Sequence, residues 1–426
     1  MKKYSQLLQD YFLPDAVELT GPVICRFDMN TAVNGKGFPE DSPKFYNCAH
    51  TLKKYTKKFP EAKWVVLTHQ GRKGGKECVS TLMHAEILRN YGLNVRFCNE
   101  APYGDRVQNE AKALQPGGVL LLENTRFPNL WEWEKGLRGN YEKQMNHPIT
   151  KTLAEVADCY INDAYETAHR GDASVTGLAL YFHKEEGKKA YLGDHVKTEV
   201  SKIERLKKRI NCCSGVSLYA GGAKFKLKYH GELMKRFPQM RLYTGGIPGQ
   251  ATAIAAGYHL NEENESIIKN NFNKNIEKAK KLLDEYGEHR ILHPIDWFVE
   301  TKTGKLKSVN LDEIPNAEGI IRDIGPKTVA KYTRASSDVN LLAGPPGMSD
   351  EGYSFGTHGL LYGLQMQGDH LWVLGGHGAT ALPKGRELEE MKERIEYMSA
   401  GGAALTHLSC QKMPLFDVLI DQASKE

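Results

Sequence analysis

Cysteine is scarce: eight in 426 residues, at Cys25, Cys48, Cys78, Cys98, Cys159, Cys212, Cys213 and Cys410. None forms a Cys-x-x-Cys pair or stands at a zinc-type spacing to His, which argues against a zinc module or a dithiol redox motif. The expected state is buried free thiols. No apolar run approaches the ~20 residues that a membrane-spanning helix requires. After Met1-Lys2-Lys3 the stretch Tyr4 to Asp10 is polar, so no signal-peptide core follows and a cytoplasmic protein is expected. There is neither a polybasic run nor a basic stripe with interleaved aromatics, which leaves no support for nucleic-acid binding. No Gly-x-Gly-x-x-Gly follows the first strand of either half, and Asp28 to Gly37 carries polar residues where a nicotinamide-binding turn needs close-packed glycines.

What is present is enough for two cores. A chain of 426 residues, 40% of them apolar, favours two domains of about 200 residues. The net charge of +5 arises from 57 basic and 52 acidic residues that are interspersed, so bulk charge names no partner. Short β-rich runs (Val23 to Phe27, Trp64 to Leu67, Val119 to Leu122) alternate with helical stretches (Lys44 to Lys57, Thr81 to Arg89). This alternation predicts a parallel sheet covered by helices. It restarts with Val216 to Tyr219, Met240 to Tyr243 and His370 to Leu374, giving a second sheet. Between the halves, Val196, Val200, Ile203 and Leu206 recur at spacings of three and four. The spacing predicts an amphipathic connecting helix over Asp194 to Arg209, a candidate hinge. The charged stretch Asn261 to Gly287 reads as solvated helices.

Three segments concentrate polar chemistry where strands should end. They are Thr-His-Gln-Gly-Arg (68 to 72), Leu-Leu-Leu-Glu-Asn-Thr-Arg-Phe (120 to 127) and the run from Asp158 to Gly177, which holds Asn-Asp-Ala-Tyr-Glu-Thr-Ala-His-Arg. Each presents one Arg, and α/β proteins bind ligands at the carboxyl ends of their strands. A single such Arg reads as an ion pair and a single His as a hydrogen-bonded loop residue. Three together read as one anion pocket, because an Arg fork holds two phosphate oxygens while Asp and Asn address hydroxyls.

With Gly-Gly-Ala-Lys-Phe-Lys-Leu-Lys (221 to 228), Asp-Ile-Gly-Pro-Lys-Thr (323 to 328) and Gly-Pro-Pro-Gly (344 to 347), these segments resemble the phosphoglycerate kinase family over nearly the whole chain. The run Thr68 to Arg72 and a His near the last glycine loop are similar to archaeal members. The resemblance implies two doubly wound, Rossmann-like parallel-sheet domains joined by a hinge helix. Residues 1–193 would bind phosphoglycerate, 194–405 would bind nucleotide, and 406–426 would return to the first domain. It implies a monomer that exchanges a phosphoryl group between ATP and the carboxylate of 3-phosphoglycerate, with Mg2+ carried on ATP or ADP.

The resemblance places substrate binding on Asp28, Asn30, His69, Arg72, Arg126 and Arg170, and catalysis on Arg26, Lys44, Lys224, Gly401 and Gly402. Lys44 stands where the family has an Arg, a point charge in place of a fork. Nucleotide binding falls on Gly221, Gly222, Lys224, Lys228, Gly245, Gly246, Pro345, Asp350, Gly375, Gly376 and His377. Lys224 and Lys228 are four apart, which puts both ammonium groups on one helix face. Ala343, Gly378 and Ala400 also depart from the family pattern. The four departures motivate a second reading, a binding protein that has lost efficient transfer, and a third in which the acceptor is a related phosphorylated acid. Persistence of the acidic-sugar residues favours the kinase.

Overall fold

The structure, a computed structural model, describes residues 4–127, 134, 136–222, 227–375 and 394–420. The chain divides into two units, Met1–Ser201 with Lys412–Glu426, and Lys202–Gln411.

The first unit is built on six parallel strands: β1 (Gly21–Arg26), β2 (Ala62–Leu67), β3 (Val95–Cys98), β4 (Val119–Leu122), β5 (Cys159–Asn162) and β6 (Lys189–Leu192). Their order is β3-β4-β2-β1-β5-β6. All four residues of β4 and of β5 are buried, the continuous apolar run of a strand covered on both faces. The helix Pro43–Lys58 shows how local sequence seats a covering element. Pro43 occupies its first turn, where no N–H is required. Phe45, Cys48, Ala49, Leu52 and Tyr55 turn one face inward, and Tyr55 stacks on Trp64 of β2 at 5.5 Å between ring centroids. Lys57 and Lys58 finish the last turn, where positive charge suits the helix dipole.

The second unit repeats the plan with β7 (Val216–Ala220), β8 (Met240–Thr244), β9 (Ile291–Leu292), β13 (Val339–Ala343), β14 (His370–Leu374) and β15 (Ile395–Met398), in the order β15-β14-β13-β7-β8-β9. A three-stranded antiparallel sheet joins it, β11-β10-β12 (Leu306–Asn310, Asp296–Glu300 and Ile320–Ile324), which the sequence reading did not foresee. The charged stretch after Asn261 forms Glu262–Tyr286 with a kink at Phe272, and it is less solvated than its charge suggests, since Ile268, Ala279 and Leu282 are buried.

The helix Asp194–Cys212 begins in the first unit and runs into the second. Its inward face is Val196, Val200, Ile203, Leu206 and Ile210, each at most 1% exposed. Near the other end of the chain, the helix Pro414–Leu419 packs in the first unit, where Asp417 accepts from the Tyr4 hydroxyl at 2.5 Å and Leu415 N–H donates to the Ala168 carbonyl. The expectation for the thiols needs correction: Cys212 and Cys410 are exposed, and Cys78 and Cys213 only partly covered. Cys212 closes an amphipathic helix on its solvent side, and Cys410 lies in a turn with φ of 55°. No helix among the described residues is long and apolar enough to cross a membrane.

Candidate active site

The strand order of the first unit reverses between β1 and β5, so the loops that leave their carboxyl ends diverge and open a crevice there. Arg26 is the last residue of β1 and lies opposite Asn162, the last of β5. Arg26, 2% exposed, donates from Nη1 to the carbonyls of Phe27 (2.7 Å) and Leu67 (3.2 Å) and from Nη2 to His69 Nδ1 at 3.1 Å. Guanidinium only donates, so Nδ1 accepts and the imidazole proton sits on Nε2. Burial, and then the positive charge of Arg126 and Arg26, hold His69 well below its usual range. His69 is therefore neutral, and its 3.8 Å approach to Asp28 Oδ1 is not an ion pair.

Asp28 binds the ammonium of Lys44 at 2.8 Å and accepts from the Asn30 N–H. Asn30 Oδ1 in turn accepts from the Gly71 N–H at 2.7 Å, which pins the turn after β2. At Gly71 φ is 67°, and a Cβ would fall 2.3 Å from the Glu77 backbone, so only glycine fits. Arg126 donates to the Gly71 carbonyl at 2.7 Å. Burial and its neighbour Arg170 push Arg126 down to about 9, and burial likewise lowers Arg170, against the pull of Asp172 and Asp28. Both remain cations at neutral pH, crowded into one place. Arg72 is exposed on the turn after β2.

Some residues of this site were not singled out from the sequence. Asn124 holds two loops together by accepting from the N–H groups of Gln70 and Arg126 and donating to the carbonyls of Gln70 and Val79. The signal was the Asn within Leu-Leu-Leu-Glu-Asn-Thr-Arg-Phe. Arg138 forms an ion pair with Asp172 at 2.6 Å, and its position between two weakly patterned stretches gave no cue. Asp163 Oδ1 accepts from His195 N–H at 2.8 Å and Val196 N–H at 3.2 Å, capping the connecting helix.

The second unit has its own reversal, between β7 and β13. Gly221 and Gly222 follow β7, Gly344 and Pro345 follow β13, and Gly222 N–H donates to the Pro345 carbonyl at 2.6 Å. A Cβ on Gly221 would meet that carbonyl oxygen at 2.2 Å, so this glycine is fixed by the close passage of two backbones. Gly245 lies against Pro346, and a Cβ on Gly246 would sit 3.0 Å from the Gly222 carbonyl oxygen. Gly375 follows β14 beside Gly401, whose backbone nitrogen a Cβ on Gly375 would approach to 2.9 Å. Gly401 and Gly402 open the helix Gly401–Leu408 with Ala400 as its cap, and the first N–H groups of a helix have no intrahelical acceptor. Asp350 is exposed in the short turn Ser349–Glu351. Lys228 is the second residue of the helix Leu227–Arg236. Lys224, Gly376, His377 and Gly378 lie outside the described residues.

Two six-stranded parallel sheets, each with one reversal of its strand order, define a two-domain α/β enzyme class, and such reversals are where open α/β sheets bind ligands. A family model for phosphoglycerate kinase matches residues 15–410, and the chain belongs to the phosphoglycerate kinase family. The phosphoglycerate kinase of Sulfurisphaera tokodaii is 30% identical over 405 residues, covering 93% of this chain and 92% of that one. That of Methanothermus fervidus is 29% identical, covering 96% and 97%. In fold, the chain is similar to the phosphoglycerate kinase of Pyrococcus horikoshii, with a TM-score of 0.81 at 24% identity over 97% of this chain and 99% of that one.

Proposed function

We infer that the chain is a phosphotransferase with a carboxylate acceptor, a phosphoglycerate kinase that moves a phosphoryl group reversibly between ATP and 3-phosphoglycerate. The observation that carries the reading is the gathering of cations in the first unit, where the charge of Arg170 is felt by Arg126 and Lys44 is paired with Asp28, which His69 approaches. Such a site is costly without an anion in it, and a phosphorylated hydroxy acid supplies the charge for the Arg forks and the hydroxyl for Asp28 and Asn30.

The acceptor is a carboxylate, already ionised at neutral pH, so no general base is required. Neutral His69 fits that chemistry because it donates from Nε2 without competing for a proton. We assign phosphate binding to Arg72, Arg126 and Arg170, and charge on the transferring group to Lys44 and the N–H groups of Gly401 and Gly402. Arg26, engaged by two carbonyls and by His69, orients the imidazole. The glycines at the second reversal let nucleotide approach the backbone, and we assign Lys224 and Lys228 to its phosphates. Among the described residues no three His, Cys, Asp or Glu side chains cluster into a metal cage. We assign Mg2+ to the nucleotide, whose phosphate oxygens and waters suit that ion. The helix Asp194–Cys212 is our candidate hinge.

The test is consumption of Mg-ATP that depends on 3-phosphoglycerate, followed by reduction of the acyl phosphate formed. Turnover with this acid supports the reading. Nucleotide binding with no turnover, or turnover only with another phosphorylated acid, overturns it.

A further inference from the structure

Every hydrogen-bonding position of the Gln70 side chain is taken by the protein itself. Gln70 stands in the turn after β2 and is 0% exposed. Its Oε1 accepts from the Thr31 N–H at 3.2 Å, and its Nε2 donates to the Thr31 carbonyl at 2.9 Å and to the Glu77 carbonyl at 3.2 Å. A backbone N–H only donates and a carbonyl only accepts, so these partners fix the orientation of the carboxamide. The fourth partner is His84 of the helix Leu82–Asn90, whose Nε2 lies 3.2 Å from the same Oε1. An amide oxygen only accepts, so His84 donates from Nε2. Burial pushes His84 down to about 4, which keeps the ring neutral. That ring packs on Phe45, the residue after Lys44, at 5.0 Å between centroids.

These contacts bear on Asn30. The loop after β1 is held to the turn after β2 at three successive residues. Met29 N–H donates to Thr68 Oγ1 at 3.0 Å, Asn30 Oδ1 accepts from the Gly71 N–H, and Thr31 is paired in both directions with Gln70. The first and third contacts fix the backbone on either side of Asn30. The second commits Asn30 Oδ1 to the protein and leaves the NH2 group as the donor for a ligand. The Gln70 backbone is tied to Asn124 as well, its N–H donating to Oδ1 at 3.0 Å and its carbonyl accepting from Nδ2 at 2.9 Å. One buried residue thus joins the loops that carry Asn30, Arg72 and Arg126.

We propose that Gln70 is a positioning residue for the acceptor: its carboxamide fixes the backbone at Thr31 so that the Asn30 NH2 group is presented to an oxygen of the bound acid. The inference rests on the kinase reading for the identity of that acid, and it names a side chain that touches no substrate. An apolar side chain of similar length would fill the same space. It would leave the Thr31 N–H, two carbonyls and His84 without their partner in a buried place, and the loop would shift toward water to satisfy them.

The test is a double-mutant cycle with Gln70→Met and Asn30→Ala in the full chain, read by calorimetry with 3-phosphoglycerate and by steady-state kinetics with Mg-ATP. Gln70→Met keeps an unbranched side chain of similar length. It should weaken binding of 3-phosphoglycerate about tenfold, the scale of one or two lost hydrogen bonds, and raise the KM for that acid to match. The kcat and the KM for ATP should change little. In the Asn30→Ala background the same change should cost much less, since the donor that Gln70 positions is gone. Gln70→Asn keeps a carboxamide but draws it back by one methylene, and should show a smaller loss in the same direction; the cycle is run with it if Gln70→Met does not fold. Unchanged acid binding overturns the inference. So do equal losses with and without Asn30, which is the result a purely structural role gives. A native chain that binds 3-phosphoglycerate without turnover overturns the kinase reading alone, because the calorimetric cycle still decides the role of Gln70. A native chain that does not bind the acid overturns both.

Discussion

The ammonium of Lys44 lies 2.8 Å from Asp28 Oδ2, with the lysine side chain 23% exposed and the aspartate 4%. The cation assigned to the transferring group is therefore held in the acceptor site by an anion assigned to substrate binding. Removing it should lower kcat on the order of 10²-fold in Lys44→Ala. Lys44→Arg, which restores a fork at this position, should retain or increase kcat. Steady-state kinetics with saturating 3-phosphoglycerate checks both, and equal kcat in all three proteins would remove Lys44 from the reaction.

Arg126 is anchored by Gly71 and crowded by Arg170, so its substitution should act on acid binding. Arg126→Ala should raise the KM for 3-phosphoglycerate by about tenfold to a hundredfold, consistent with loss of a charge-assisted contact. Its KM for ATP should barely change, and calorimetry with each ligand separates the two effects.

Gly221 tests whether the nucleotide loops depend on close backbone passage. Gly221→Ala places a methyl 2.2 Å from the Pro345 carbonyl oxygen, which only a backbone shift relieves, at about 1–3 kcal/mol. The variant should melt lower and bind ADP more weakly, while 3-phosphoglycerate binding to the other unit stays intact.

Asp323 provides a prediction about pH. Its carboxylate accepts from Gly356 N–H at 2.9 Å and Ile324 N–H at 2.8 Å, but burial dominates and raises it to about 7. A folded-state value above the unfolded one means that the native protein binds the proton more tightly. This contribution is complete below about 4 and is lost as pH rises through about 7, at about 1.4 kcal/mol per unit over that window. The melting-temperature advantage of the native protein over Asp323→Asn should therefore shrink between pH 5 and pH 8. An advantage that grows over that interval would reverse the sign.

Much of this was legible in the residues. Val196, Val200, Ile203 and Leu206 announced a buried helix face, and the six polar side chains we assign to the acidic-sugar site drew notice by standing at the ends of apolar runs. Three kinds of information were not legible. The antiparallel sheet β10 to β12 lies in mixed, partly polar strands such as Leu306–Asn310, whose pattern matches loops as well as strands. The glycines read as ligand approach are also required by the protein's own backbone, as at Gly221 against Pro345, and spacing does not reveal which loop passes near. Pairs such as Glu166 with His195 and Arg138 with Asp172 join residues tens of positions apart, and only the strand order brings them together.

The central claim is that both halves serve one transfer reaction, and turnover of Mg-ATP with 3-phosphoglycerate tests it most directly, measured side by side for the native chain, Arg126→Ala and Lys224→Ala. The account predicts acid-dependent formation of an acyl phosphate by the native chain, lost largely through KM for the acid in the first variant and through nucleotide handling in the second. A folded native chain that binds both ligands yet forms no acyl phosphate would contradict it.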